Sequence, residues 1–327
     1  MSTPLTVAVT GPTGTFGHGL VPLLQDDDRI DSVIGIARRP FEPAEQGWSK
    51  MVYRQGDVRD EQGLREAFVG ADVVVHLAFL VVGGSAQQTR SINVEGTLNA
   101  FRAAAAAGVS RFVYASSVAA YGFHHDNPFG MREDWPVRPA NRLFYAQEKA
   151  ELEQLLQEEA QQQPGIDLYL LRPSIVVGPQ ALGGKLPRRV GALVERFFLR
   201  RSPVPLPVVL PDLPMQLVHQ DDVGQALLLC VVAAGPPGAY NIAGDGVVGL
   251  PDAARVAGLL PVLTLPAGPA HSAARLVSRL PALPSYLEWV EALSAPAVMD
   301  TARAKAELGW VPRYTGLEAL EDTLRTP

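Results

Sequence analysis

Six short runs in the first half of the chain carry apolar side chains with little interruption. They are LTVAVTG (5–11), SVIGIAR (32–38), MVYRQGD (51–57), VVVHLA (73–78), RFVYASS (111–117) and DLYLLRP (167–173). Near-continuous apolar runs of this length predict parallel strands covered on both faces. Between them, around 17–25, 61–69, 90–107 and 142–162, the pattern changes to helical spacing. Strands alternating with helices predict a doubly wound α/β sheet, and such sheets bind ligands beyond the carboxyl ends of their strands.

The second half has a different rhythm. SPVPLPVVLPDLP (202–214) carries five prolines, which exclude a regular helix or a central strand. A helical pattern returns in HQDDVGQALLLCVVAA (219–234), and GPPG ends it. A strand-like AYNIAG (239–244), a Pro/Ala/Leu-rich stretch and a charged helical tail follow. The expected division is a sheet domain of 1–173 plus 218–244 and a smaller domain of 174–217 plus 245–327. The helix at 219–234 would then return to the sheet.

Composition narrows the picture by exclusion. The 327 residues are 47% apolar and 19% charged, as in ordinary globular proteins. A net charge of -6 gives no support to a nucleic-acid partner. The single cysteine, Cys230, sits in an apolar run, so it reads as core filler and makes no internal disulfide. The first residues have neither the basic start nor the apolar stretch of a signal peptide, and no apolar run reaches membrane-spanning length. The expectation is a cytoplasmic protein. The six histidines and one cysteine show no metal-ligand spacing, so no metal is expected.

Directly after the first strand stands TGPTGTFGHG, with glycines at 11, 14, 17 and 19. Gly11, Gly14 and Gly17 are spaced G-x-x-G-x-x-G. Glycines there allow a sharp turn, a close backbone approach to a pyrophosphate, and a helix that starts tight against the sheet. A plain glycine-rich strand–helix turn has the same composition, but its position in the α/β pattern favours a nucleotide site. At the end of the second strand, where an acid would hold ribose hydroxyls, stand Ala37, Arg38 and Arg39. Guanidinium groups pair with a 2′-phosphate, which favours NADP over NAD, although two arginines at a strand end are also common on surfaces. Asp57, ending the third strand, could accept a hydrogen bond from an adenine amine.

In YAQEK (145–149), Tyr145 and Lys149 lie four residues apart and face one side of a helix. The chain has only four lysines and eight tyrosines, so the pair stands out. Gln147 and Glu148 read as the solvated face of the same helix.

Together these motifs resemble the extended short-chain dehydrogenase/reductases, the NAD(P)-dependent epimerase/dehydratase family. TGPTGTFG is similar to its cofactor loop, GDVRD to its adenine-site motif, VVVHLA to its fourth strand and NVEGT to its next helix. VYASSVAAYG is similar to its serine segment, YAQEK to its Y-x-x-x-K and LRPSIVVGP to the strand and turn that pass the nicotinamide. LVHQDDVGQA and KAELGWVPRY match its later landmarks. The resemblance implies a Rossmann-type fold and a catalytic set of Ser117, Tyr145 and Lys149, aided by Asn93. It also implies cofactor contacts from Gly11, Thr13, Gly14, Thr15, Phe16, Gly17, Arg38, Arg39, Asp57 and Val58. Leu77, Ala78, Asn93, Tyr145, Lys149, Pro173, Ser174 and Val176 complete that implied set. A homodimer built on helices 90–107 and 142–162 is expected from the same resemblance.

The chemistry fits the residue types. A tyrosine near pKa 10 is a poor base until a neighbouring ammonium stabilises its phenolate. Tyr145 could then exchange a proton with a carbonyl or alcohol oxygen that Ser117 also binds. Of the two serines, only one can face the site, and the resemblance implies Ser117 from the family's spacing to Tyr121-Gly122, with Ser116 packed or capping. The 4,6-dehydratases place an Asp-Glu pair beside the catalytic hydroxyl residue, whereas this chain has Val118 and Ala119 after Ser117. Gln216 and Leu217 stand where sugar-nucleotide enzymes present an arginine, although Arg188, Arg189, Arg200 and Arg201 are near in sequence. The reading is therefore a carbonyl reductase or alcohol dehydrogenase acting on a small or moderately apolar molecule. A sugar-nucleotide epimerase is the alternative, and an NADP-sensing regulator is the alternative outside enzymes.

Overall fold

The computed structural model describes residues 3–81, 86–181, 208–258, 261–277, 292 and 295–325. Seven strands form one parallel sheet: β1 (Leu5–Thr10), β2 (Ile30–Ala37), β3 (Met51–Gln55), β4 (Val73–His76), β5 (Arg111–Ala115), β6 (Asp167–Pro173) and, far along the chain, Gly238–Ile242. In space the order runs from Gly238–Ile242 through β6, β5, β4, β1 and β2 to β3. The chain reverses its direction of winding between β1 and β4, and at such a switch point the loops after the two strands part to leave a crevice.

Side chains alternate across the sheet, so each strand feeds two cores. Val7, Val9, Val33, Val75 and Val113 pack on one face with Leu20 and Leu24 of helix α1 (Thr15–Asp26). Ala8, Ile34, Val74 and Phe112 pack on the other with Phe101 of α4 (Gly96–Ala106) and Leu152 and Leu156 of α5 (Phe144–Gln162). Both faces are dry, which explains why the strands read as unbroken apolar runs.

The helix at Gln220–Val231, here α6, does return to the sheet, and it lies directly on α1. A Cβ on Gly224 would come within 2.1 Å of the Gly19 carbonyl oxygen, and one on Gly19 within 2.3 Å of the Gln220 carbonyl oxygen. Gly19, the last glycine of the glycine-rich turn, therefore serves helix packing. The C-terminal landmark is tied to the same helix. The Trp310 indole donates to the Asp222 carbonyl at 2.9 Å, and the Asp222 carboxylate accepts from the Arg313 and Tyr314 amides.

The proline-rich stretch supplies an edge strand, Val208–Pro211, which pairs in parallel with Val262–Leu265 outside the main sheet. Its residues 202–207, together with Arg188, Arg189, Arg200 and Arg201, lie outside the described residues. The helix expected at 90–107 starts earlier, at Ala86, and contains a π turn at Ser91–Glu95 before α4. Such turns insert a residue into the helical ladder and swing side chains out of the regular phase. No helix among the described residues is long and apolar enough to cross a membrane.

Candidate active site

Three strand and helix ends converge over the sheet. After β5 the backbone stays extended through Ser117, at φ -165° and ψ 155°, and Ser117 then caps a 3-10 turn at Val118–Tyr121 by accepting the Ala119 amide at 3.1 Å. Neighbouring residues on extended chain face opposite ways. Ser117 accordingly faces the cleft and hydrogen-bonds Tyr145, while Ser116 turns inward and donates to Glu153 at 2.5 Å. Tyr145 sits in the first turn of α5, and Lys149 follows one turn later. The Lys149 ammonium donates to the Ala115 carbonyl at 2.7 Å and to the Tyr114 hydroxyl at 3.0 Å. The Phe79 ring lies over it, 3.6 Å from nitrogen to centroid, and the Tyr145 ring centroid is 5.9 Å away.

This setting has electrostatic consequences. Burial pushes Lys149 down to about 7, with Glu153 and then Glu148 opposing the shift. Burial pushes Tyr145 up, and its hydrogen bond with Ser117 pulls the other way. His76, held between the hydroxyls of Thr10 at 2.9 Å and Thr97 at 3.1 Å, is pushed down to about 3 by burial and by the Lys149 charge. It is therefore a neutral structural histidine.

The crevice beside these groups encloses about 580 Å³. Its floor is the glycine turn: Gly11, Gly14, Thr15 and Phe16 line it, with Leu77 from the end of β4 and Pro173, Ser174 and Val176 from the end of β6. Gly11 has φ +71° and lies so close to β4 that a Cβ would touch the Ala78 backbone at 3.1 Å. At Gly17 a Cβ would strike the Pro12 carbonyl oxygen at 1.9 Å. Gly14 caps α1 without a side-chain hydrogen bond, so the first amides of that helix are available to an anion. The turn thus offers the close backbone approach that a dinucleotide pyrophosphate requires, and these residues fit such a cofactor. Arg38 and Arg39 are exposed after β2, beyond the enclosed volume, and Thr13 is exposed in the turn. Arg38 acts electrostatically on Asp57, whose carboxylate is already paired with Arg59 at 2.6 Å, while Val58 packs in the core beneath them.

Asn93 reads from the sequence as a support for the site and Glu148 as solvated, and it is the reading of Glu148 that changes. Asn93 is completely buried and stands behind the crevice: it accepts the Leu80 amide at 2.7 Å, donates to the Leu80 carbonyl at 2.9 Å and donates to Glu148 at 2.7 Å. Its work is to hold the backbone after β4 in place, and the π turn is what aims it inward. Glu148 is only 1% exposed, so it is not part of a solvated face. Burial raises its pKa, and its Oε1 has no hydrogen-bond partner among the described residues. Phe79, Tyr114, Glu153 and Arg172 went unnoticed in the sequence. For Glu153 a signal existed, because it continues the four-residue spacing of Tyr145 and Lys149.

Away from the hydroxyl groups the walls are mostly apolar, with Val81, Phe123, Ile175, Leu213 and Met215 among them, and His271 is a polar side chain on them. Gln216, also on the wall, has both ends of its amide engaged by the Met299 backbone, at 2.7 and 3.0 Å. No group of three or more candidate metal ligands occurs among the described residues. Cys230 is buried in the core.

Residues 7–243 match the model of the NAD dependent epimerase/dehydratase family. An uncharacterized protein of Mycobacterium tuberculosis is 29% identical over 98% of this chain and 84% of its own length. Sterol demethylase protein B of Methylococcus capsulatus is 32% identical over 65% of this chain and 63% of its own. Among solved structures, the UDP-glucose 4-epimerase of Thermus thermophilus in complex with NAD superposes with a TM-score of 0.70 at 23% identity, covering 98% of both chains. At that identity the likeness speaks for the fold.

Proposed function

This chain belongs to the NAD dependent epimerase/dehydratase family, and we propose that it is an oxidoreductase acting on a carbonyl or alcohol of a small or moderately apolar molecule. The observation that carries the reading is the convergence of Ser117, Tyr145 and Lys149 at one end of a crevice whose remaining walls are mostly apolar. When bound, the dinucleotide supplies or accepts the hydride. The Ser117 and Tyr145 hydroxyls bind the reacting oxygen, and Tyr145 donates the proton in reduction or takes it in oxidation. The Lys149 ammonium stabilises the Tyr145 phenolate and holds the cofactor ribose. The name of the Methylococcus capsulatus relative supports an apolar substrate, and so does the engagement of Gln216 away from the crevice.

The test is consumption of NADPH or NADH with a panel of alicyclic and aromatic ketones set beside nucleotide sugars. Turnover confined to nucleotide sugars, without net cofactor consumption, would replace the reductase with an epimerase. Tight cofactor binding without any turnover would favour a sensor.

We favour NADP over the NAD held by the Thermus thermophilus structure, because Arg38 and Arg39 are exposed after β2, where Ala37 replaces the usual acid. Replacing both arginines by alanine should weaken NADPH by about 10- to 100-fold, the worth of one or two charge-assisted hydrogen bonds. NADH affinity, measured by the same fluorescence titration, should change by no more than about twofold, since the lost contacts are to the 2′-phosphate alone. Equal losses for both cofactors would remove the 2′-phosphate assignment.

A further inference from the structure

Beneath the site lies a buried set of charges that the proton and hydride transfers do not use. Glu153 stands one turn beyond Lys149 and two beyond Tyr145, so the three share a face of α5. Its carboxylate, 1% exposed, accepts the Ser116 hydroxyl at 2.5 Å, Arg172 Nε at 3.0 and 3.1 Å, and Arg172 Nη2 at 2.6 Å. Arg172, 2% exposed, donates from Nη1 to the Tyr121 hydroxyl at 2.6 Å and to the Glu133 carbonyl at 3.1 Å. The Tyr121 hydroxyl in turn donates to Asn241 at 2.8 Å.

A buried ion pair is weak grounds for stability, because apolar side chains of similar volume often do as well. What distinguishes this one is its address. Ser116 immediately precedes Ser117, Arg172 immediately precedes Pro173, and Tyr121 closes the turn that Ser117 caps. One carboxylate therefore ties the ends of β5 and β6 to the middle of α5, the three elements that carry the site.

We propose that Glu153 is a positioning residue: from one turn beyond Lys149 on the same face of α5, its carboxylate locks the ends of β5 and β6 to that helix and sets a negative charge beneath the ammonium that would hold the cofactor ribose. The titratable groups facing Lys149 among the described residues are Tyr145, Glu148 and Glu153 on α5, Tyr114 on β5 and His76 on β4, and the charged group behind Glu153 is its partner Arg172 on β6. Tyr114 is held neutral by burial, and His76 is neutral as well. Glu148 has its own pKa raised and acts on Lys149 less than Glu153 does. Removing Glu153 thus takes away the larger of the two charges that oppose the effect of burial on Lys149.

This role rests on the dinucleotide reading of the site, and its test uses binding, so it needs no substrate. NADPH affinity of the full chain is titrated by fluorescence across about pH 5.5 to 9. Wild-type affinity should fall tenfold per unit above the Lys149 midpoint, since only the ammonium form binds well. Glu153→Gln should move that midpoint down by about one unit and weaken NADPH about tenfold at neutral pH. Glu153→Asp, which keeps the charge, should leave the midpoint in place. Titration of the 2′-phosphate is common to all the proteins and drops out of the comparison.

A folded Glu153→Gln protein with an unmoved midpoint overturns the proposal and leaves the dinucleotide reading intact. Wild-type protein that binds neither NADPH nor NADH overturns both. If Glu153→Gln alone does not fold, the double variant with Arg172→Gln leaves no orphaned charge. The same downward shift is expected there, and its absence counts equally against the proposal.

Discussion

Tyr145→Phe should abolish turnover, lowering kcat by about 10²- to 10⁴-fold, the usual worth of a positioned proton donor. NADPH affinity should change by no more than about twofold. The substitution removes one oxygen and keeps the ring, so the edge-on contact with Phe79, at a centroid distance of 5.7 Å, survives. Lys149 also keeps its bonds to Ala115 and Tyr114. Only the hydroxyl bound to Ser117 is lost. Single-turnover kinetics with any ketone found to consume NADPH, beside a cofactor titration, would separate the two effects. Retained turnover would take the proton-donor role away from Tyr145, and a parallel loss of NADPH binding would recast the residue as a cofactor contact.

The second large effect belongs to the glycine turn. Gly17→Ala should weaken NADPH by at least about 100-fold, equivalent to about 2.7 kcal/mol of binding. It should also cost the fold about 1–3 kcal/mol. The added methyl would meet the Pro12 carbonyl oxygen at 1.9 Å, and the obstacle is main chain, which has no rotamer to escape into. The turn must therefore shift, and with it the amides that face the crevice. Gly14→Ala is the control for the fold alone: within the protein its methyl meets the Gly11 carbonyl oxygen at 3.4 Å, an ordinary contact. Thermal melts of both variants check the contrast in stability, and NADPH titration of Gly17→Ala checks the loss of binding. Equal destabilisation by the two changes would mean that the turn is not constrained as described.

Much of this arrangement was legible before any coordinates. The continuous apolar strands gave the doubly wound sheet, because parallel strands buried on both faces leave no polar alternation to read. The glycine spacing marked the turn after β1, and the four-residue interval put Tyr145 and Lys149 on one face. The same interval carried on to Glu153, yet a lone glutamate on a Gln- and Glu-rich helix looks like a solvated one. Glu148 looked solvated for the same reason. What bonds Glu148 is Asn93, 55 positions away, and what pairs Glu153 is Arg172, 19 positions away on another element. Asn93, which its motif marks as a support for the site, lies in the π segment and is bonded to the Leu80 backbone and to Glu148.

The sequence alone determined what local geometry controls: the period of each element, the residues that share a face, and the turns that need glycine. The tertiary structure decided what each face meets. It put Gly19 against Gly224, turned Ser116 from the crevice to Glu153, and buried Lys149 on the same helix as the buried carboxylates of Glu148 and Glu153. The division has a physical cause. Periodicity follows from backbone dihedrals a few residues long, whereas burial and charge pairing depend on contacts between segments distant in the chain.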